Sequence, residues 1–147
     1  MGLDMYLYAN RNFYSWREDQ GDQRICTEIA ELISTDLEIE SIKVVAGYWR
    51  KANQIHRWFV QNVQGDEDTC ESFYVSRQNL IDLRDLCQRV KADNSLAPTE
   101  LPTHSGFFFG ATEYSEWYYS DLENTINIID KALTLSSAWD FEYRSSW

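Results

Sequence analysis

The stretch ESIKVVAGYWRKANQIHRWFV, residues 40–60, changes its pattern midway, and that change decides the fold. Glu40 to Gly47 is brief and rich in β-branched residues, which reads as a strand. It runs directly into residues whose apolar members recur at helical spacing. From Trp49 to Val63, Tyr48, Ala52, Ile55, Phe59 and Val63 make one apolar stripe. Trp49, Asn53, His56 and Val60 make the adjacent stripe, and Arg50, Gln54, Arg57 and Gln61 make the solvent face. This phase places Asn53 and His56 at the boundary between core and water. Tyr48 to Phe59 holds four aromatics, three cations, two amides and one of the chain's two histidines. That is too polar for a plain core helix and too aromatic for a plain surface one, a mixture found in ligand pockets.

Upstream of this stretch, Leu3, Met5 and Leu7 alternate with Asp4, Tyr6 and Tyr8, as in a strand with one buried face. Residues 15–21 are charged and turn-like, and Ile25, Cys26, Ile29, Leu32 and Ile33 then predict a short helix ending near Ser34. Downstream, Gly65 suits a left-handed helix end and residues 72–75 suit a short strand or edge. Ser76 can cap a helix carrying Leu80, Leu83, Cys87 and Val90 to about Ala92. Residues 93–105 hold both prolines and read as a loop. That loop delivers the chain to Gly106-Phe107-Phe108-Phe109-Gly110, which is predicted to be a strand. Thr112 is expected to cap a last helix, lined by Tyr118, Leu122, Ile126, Ile129 and Leu133, before a final strand over residues 139–147. The architecture expected is α+β in one domain, residues 1–147. A small, mainly antiparallel sheet is built from the two termini, the Ile42 region and the Phe run, with three to four helices on one face.

A length of 147 residues suffices for a sizeable core, and 44% hydrophobic with 15% aromatic residues excludes a disordered chain. A net charge of −11 opposes direct binding to nucleic acid or to anionic membranes. It favours basic partners, or mimicry of a nucleic acid's charge. The acids concentrate after Ala111, where Glu113, Glu116, Asp121 and Glu123 begin a strongly negative segment. The odd cysteines Cys26, Cys70 and Cys87 lack CxxC spacing, so reduced thiols in a cytoplasm are expected rather than a disulfide framework or a zinc site. There is no basic leader and no apolar run of membrane-spanning length, so neither export nor membrane insertion is expected. Met1-Gly2 does not complete a myristoylation motif, because position six is Tyr6.

No catalytic, metal or phosphate motif is present. His56 has no acidic neighbour three or four residues away to orient it, which favours a structural, hydrogen-bonding histidine. In the functional alternative, Asn53 and His56 present an amide and an imidazole to a polar ligand. His104 adjoins Thr103 and Ser105, but without a GxSxG elbow the cluster does not encode a Ser–His pair. The Asp66-Glu67-Asp68 run lacks the calcium-loop pattern. The Phe run offers aromatic faces that could stack a base or a sugar, while Arg50, Lys51 or Arg57 could meet a phosphate.

Four blocks, MGLDMYL (residues 1–7), GYWRKANQIH (47–56), LPT with SGFFFG (101–103 and 105–110) and the closing SSW (145–147), resemble in order a family of small proteins encoded by tailed bacteriophages and prophages. The resemblance covers most of the chain apart from roughly residues 15–43. It brings no assigned activity and no inherited catalytic residue. It implies a phage origin, expression in the host bacterial cytoplasm and an accessory role. By analogy with phage accessory proteins that counter host defence, the first expectation is a non-enzymatic binder of a small nucleotide-like ligand, without cofactor or metal. Its site would be drawn from Trp49, Arg50, Lys51, Asn53, His56, Trp58, Thr103, Ser105, Phe107, Phe108 and Phe109. The second is an acidic inhibitor of a host protein acting through Glu113, Glu116, Asp121 and Glu123. A third is a nucleotide-acting enzyme. A homodimer is compatible with the aromatic content.

Overall fold

The computed structural model describes residues 2–14 and 19–147. Strand β1 (Asp4–Asn12) realises the alternation of the opening residues: Met5, Leu7 and Ala9 are buried while Tyr6 and Tyr8 turn to the other face. It pairs on one side with β2 (Ser41–Arg50) and on the other with β4 (Asp140–Ser146), and β3 (Phe73–Val75) closes the far edge. All three pairings are antiparallel, in the order β2-β1-β4-β3. With helices α1 (Gln20–Leu32), α2 (Asn53–Asn62), α3 (Arg77–Ala92), α4 (Ala97–Glu100) and α5 (Glu116–Leu133), the fold is the small α+β class expected. Of residues 15–21, the first four lie outside the described residues. Asp19 then caps α1, accepting from the amides of Gly21 and Asp22.

The inner face of the sheet carries the core. Phe59 of α2 stacks on Tyr143 of β4, with ring centroids 3.9 Å apart and planes within 8°. Trp49 of β2 meets Phe59 edge-on, and its indole Nε1 donates to Thr125 Oγ1 of α5 at 2.8 Å. The buried stripe of α5 is Tyr118, Leu122, Thr125, Ile129 and Ala132, leaving the predicted Ile126 and Leu133 half-buried. On the outer face Tyr6 contacts both Tyr8 and Tyr48, and Lys43 sits 4.5 Å above the Tyr8 ring while paired to Glu142.

Between Leu7 and Tyr8 the register with β2 slips by one residue, leaving Ala46 as a bulge. Next to it, Gly47 lies against α5. A Cβ at Gly47 would come within 2.3 Å of the Ile128 side chain, so only glycine admits the helix this close. Gly47→Ala is expected to lower stability by about 1–3 kcal/mol, the usual cost of overpacking. A urea melt checks it, and Ile128→Ala should partly rescue the variant.

Four expectations are corrected. First, the strand continues to Arg50 and the helix starts only at Asn53, because Met5 and Asp4 pair with Trp49 and Arg50. Tyr48 therefore projects to the exposed face instead of joining the core stripe. Second, Asn53 and His56 are not at a boundary but fully buried, as is Gln54 from the supposed solvent face. Third, the Phe run is a turn closed by the Phe109 amide donating to the Gly106 carbonyl. Both edges of β1 are already occupied, so Phe73–Val75 takes the remaining place in the sheet. Fourth, Ser115 rather than Thr112 occupies the cap position of α5, and the Thr112 carbonyl instead accepts from Thr103 Oγ1. Ser76 caps α3 as expected, within a reciprocal capping box with Asn79. Gly65 adopts φ +66° beyond the end of α2. The predicted loop over 93–105 contains a short 3-10 turn and α4.

Candidate functional site

The two side chains that stood out in the sequence, Asn53 and His56, project from the first turn of α2 into the protein. Asn53 Nδ2 donates to the carbonyls of Phe109 and Ala111 at 3.0 and 2.8 Å, and its Oδ1 accepts from the His104 amide at 2.8 Å. One side chain thus fastens three points of the 104–111 segment.

His56 lies between Tyr143 and Asp68. Its Nδ1 is 2.7 Å from the Tyr143 hydroxyl and its Nε2 is 3.1 Å from both Asp68 carboxylate oxygens. Burial pushes the imidazole pKa down, against the upward pull of Asp68, so the ring is neutral at pH 7. Burial also raises the Tyr143 hydroxyl well above its ordinary value, so it keeps its proton. An ionised carboxylate only accepts, which places the ring proton on Nε2 and makes Nδ1 the acceptor for the tyrosine. The arrangement has the order of a proton relay, yet the end a substrate would have to reach, Tyr143, has no exposed surface. What it does is tie α2 to β4 and to the 66–70 segment, where Trp147 Nε1 also donates to Asp68. The T-shaped contact of Phe109 with the His56 ring, at 5.2 Å, completes the packing.

A cleft of about 300 Å³ opens beside this pillar, where the β2–α2 joint, the 103–115 loop and the first turns of α5 meet. Exposed Arg50 and Lys51 come from the joint. The backbone turns sharply there: Lys51 has φ +58°, and its amide donates to the Leu3 carbonyl at 2.8 Å. Gly110, at φ +88°, lies against it, since a Cβ would sit 3.0 Å from Lys51 Cβ. The loop contributes Thr103 and Glu113, and α5 contributes Trp117 and Asp121. Trp117 is 74% exposed. Asp121 is half-buried, and Gln54 Nε2 donates to its Oδ2 at 3.2 Å. Burial raises the Asp121 carboxyl to about 6, and the Gln54 bond only partly offsets this. Cations, a shifted carboxyl and an open indole therefore line one hollow, the mixture that marks binding sites.

The predicted residues thus separate. Arg50, Lys51 and Thr103 line the cleft, joined by Asp121 and Glu113 from the acidic set. Asn53 supports the cleft from behind, and Trp49, His56, Trp58 and Phe109 belong to the buried interior. Ser105 and Phe107 are exposed and Phe108 half-buried, but none of the three faces the cleft. The four acids do not form one free face, because Asp121 is turned inward and Glu123 pairs with Lys91. Sequence reading missed Gln54 and Trp117, and a tryptophan off the buried stripe that begins at Tyr118 was the available signal. It also missed Asp68 as the partner of His56. Among the described residues no three His, Cys, Asp or Glu side chains come together as metal ligands. A second depression, about 390 Å³, lies between α1 and residues 37–39, and among the described residues that line it, which include Phe13, Asp22, Cys26 and Glu38, there is no cation.

Among the described residues no helix is long and apolar enough to cross a membrane. No family model matches the chain, and neither curated proteins nor solved structures give a match. Fold and site together define a small α+β domain with a polar, aromatic-walled cleft at one end of its sheet.

Proposed function

We propose that this chain is a non-enzymatic binding protein that holds a compact, nucleotide-like ligand in the cleft at the β2–α2 joint. The observation that carries the reading is the convergence of Arg50 and Lys51 with the Trp117 indole and the Asp121–Gln54 pair in one hollow. Two cations suit a phosphoryl group, an open indole suits a planar ring, and a carboxyl–amide pair suits the polar edge of that ring. A volume near the lower end of ligand pockets suits a mononucleotide better than a longer chain. With the phage resemblance, the corresponding role is an accessory protein in the host cytoplasm that sequesters such a molecule to counter host defence. The net charge of −11 is compatible with this, because the two cations are local.

The test is calorimetric titration with a panel of mono-, di- and cyclic nucleotides, repeated on Arg50→Ala/Trp117→Ala. Both side chains are exposed, so the variant should melt within about 2 °C of the parent while binding at least tenfold more weakly. A variant that binds like the parent would sink the assignment of the cleft. Turnover of a bound nucleotide would make the site catalytic instead.

A further inference from the structure

Resting on the binding reading above, we infer that the cleft selects a base with adjacent N–H donors, a guanine nucleotide in preference to an adenine one, with Asp121 as the residue that reads the base. Asp121 Oδ2 is held by Gln54 Nε2, which fixes the carboxyl's orientation, and Oδ1 has no hydrogen-bond partner among the described residues. Gln54 is itself 2% exposed and cannot swing away. The base-reading group is therefore pre-positioned on the cleft floor, with the Trp117 indole beside it for stacking and Arg50 and Lys51 available to a phosphate.

The choice between bases follows from donor and acceptor count. Guanine offers N1–H and N2–H side by side, two donors to a group that only accepts when ionised. Adenine offers N6–H beside the lone pair of N1, which an ionised carboxylate repels. A protonated Asp121 would reverse this, donating to N1 while accepting from N6–H. Because burial moves the Asp121 carboxyl to about 6, the two states exchange in an accessible pH range. Guanine binding should weaken as pH falls through that value, and adenine binding should strengthen.

The experiment is titration of the whole chain with GMP and AMP at pH 7.5 and pH 5, on the parent and on Asp121→Asn. GMP is expected to bind at least tenfold tighter than AMP at pH 7.5, with the ratio shrinking at pH 5 and lost in Asp121→Asn. The variant should not melt lower than the parent at pH 7.5, since asparagine can still accept from Gln54 and carries no buried charge. Equal or tighter AMP binding at pH 7.5, or a preference that survives in Asp121→Asn, would overturn the inference and leave the cleft as a nucleotide site. If neither nucleotide binds, nor any other in the panel, both the inference and the binding reading fall.

Discussion

Replacing Phe59 by alanine is expected to lower folding stability by about 3–5 kcal/mol, the range for truncating a fully buried phenylalanine. Phe59 has no exposed surface and lies at the centre of the aromatic core, stacked on Tyr143 and edge-on to Trp49 and Trp58. Aromatic pairs of this kind contribute about 0.5–1.5 kcal/mol beyond burial, which puts the cost at the upper part of that range. Two of these neighbours cannot move into the space without abandoning a hydrogen bond, because Trp49 is fastened to Thr125 and Tyr143 to His56. At roughly 2–4 °C per kcal/mol for a chain of this size, the melting temperature should fall by about 10 °C or more. Phe59→Leu should lose much less. A denaturant midpoint for Phe59→Ala close to the parent's would show that the Phe59–Tyr143 stack does not organise the core.

The second large effect is expected from Asn53→Ala, at about 2–4 kcal/mol. The substitution strands the carbonyls of Phe109 and Ala111 and the amide of His104 together. Each buried group left without a partner costs about 1–3 kcal/mol, reduced here because Ala111 and His104 are exposed enough for water to replace the lost bond. Asn53→Asp keeps the acceptor for His104 but turns carboxylate oxygens toward two carbonyls, so it should be no better. The signature that separates this from a simple core defect is local. Amide hydrogen exchange should accelerate across residues 104–111 before it does in β1 or α3. Ligand affinity should fall as well, because Thr103, Gly110 and Ala111 line the cleft. Unchanged exchange in that segment would remove Asn53 from its role as fastener.

The contrast between Asn53 and the cleft residues shows where sequence reading succeeds. Periodicity identified β1, the buried stripe of α3 and much of that of α5, because those elements bury one face against a single partner surface. Ser76 was legible because its capping partner Asn79 is three residues away. The β2–α2 joint was not, since Tyr48, Ala52, Ile55 and Phe59 fit a helical stripe from Tyr48 onward. Only the pairing with β1 holds residues 48–50 extended. That three-residue shift moved Tyr48 out of the core, and the first turn of α2 packs Gln54 inside. The short β3 was readable as a strand, but its place beside β4 depends on a contact distant in sequence. Asp68 escaped for the same reason. An acid twelve residues from His56 is invisible to a search of neighbouring helical turns, and it reaches the ring only after the chain has folded back. Of the candidate site, the cations Arg50 and Lys51 were legible as cations beside aromatics. Their meeting with Asp121 and Trp117 was not, because it is produced by α5 packing along β2, with Ile128 against Gly47 and Thr125 bonded to Trp49.

The strand order β2-β1-β4-β3 also governs how the protein must assemble in time. Of the four strands, β4 is synthesised last, yet it occupies the interior of the sheet between β1 and β3. Until it inserts, Phe59 lacks its stacking partner Tyr143, His56 lacks the hydroxyl on its Nδ1, and β1 presents an open edge. Pairings this distant in sequence fold slowly. While β4 is still missing from the sheet, the edge of β1 that it covers has no strand on it, the kind of open edge with which other chains can pair.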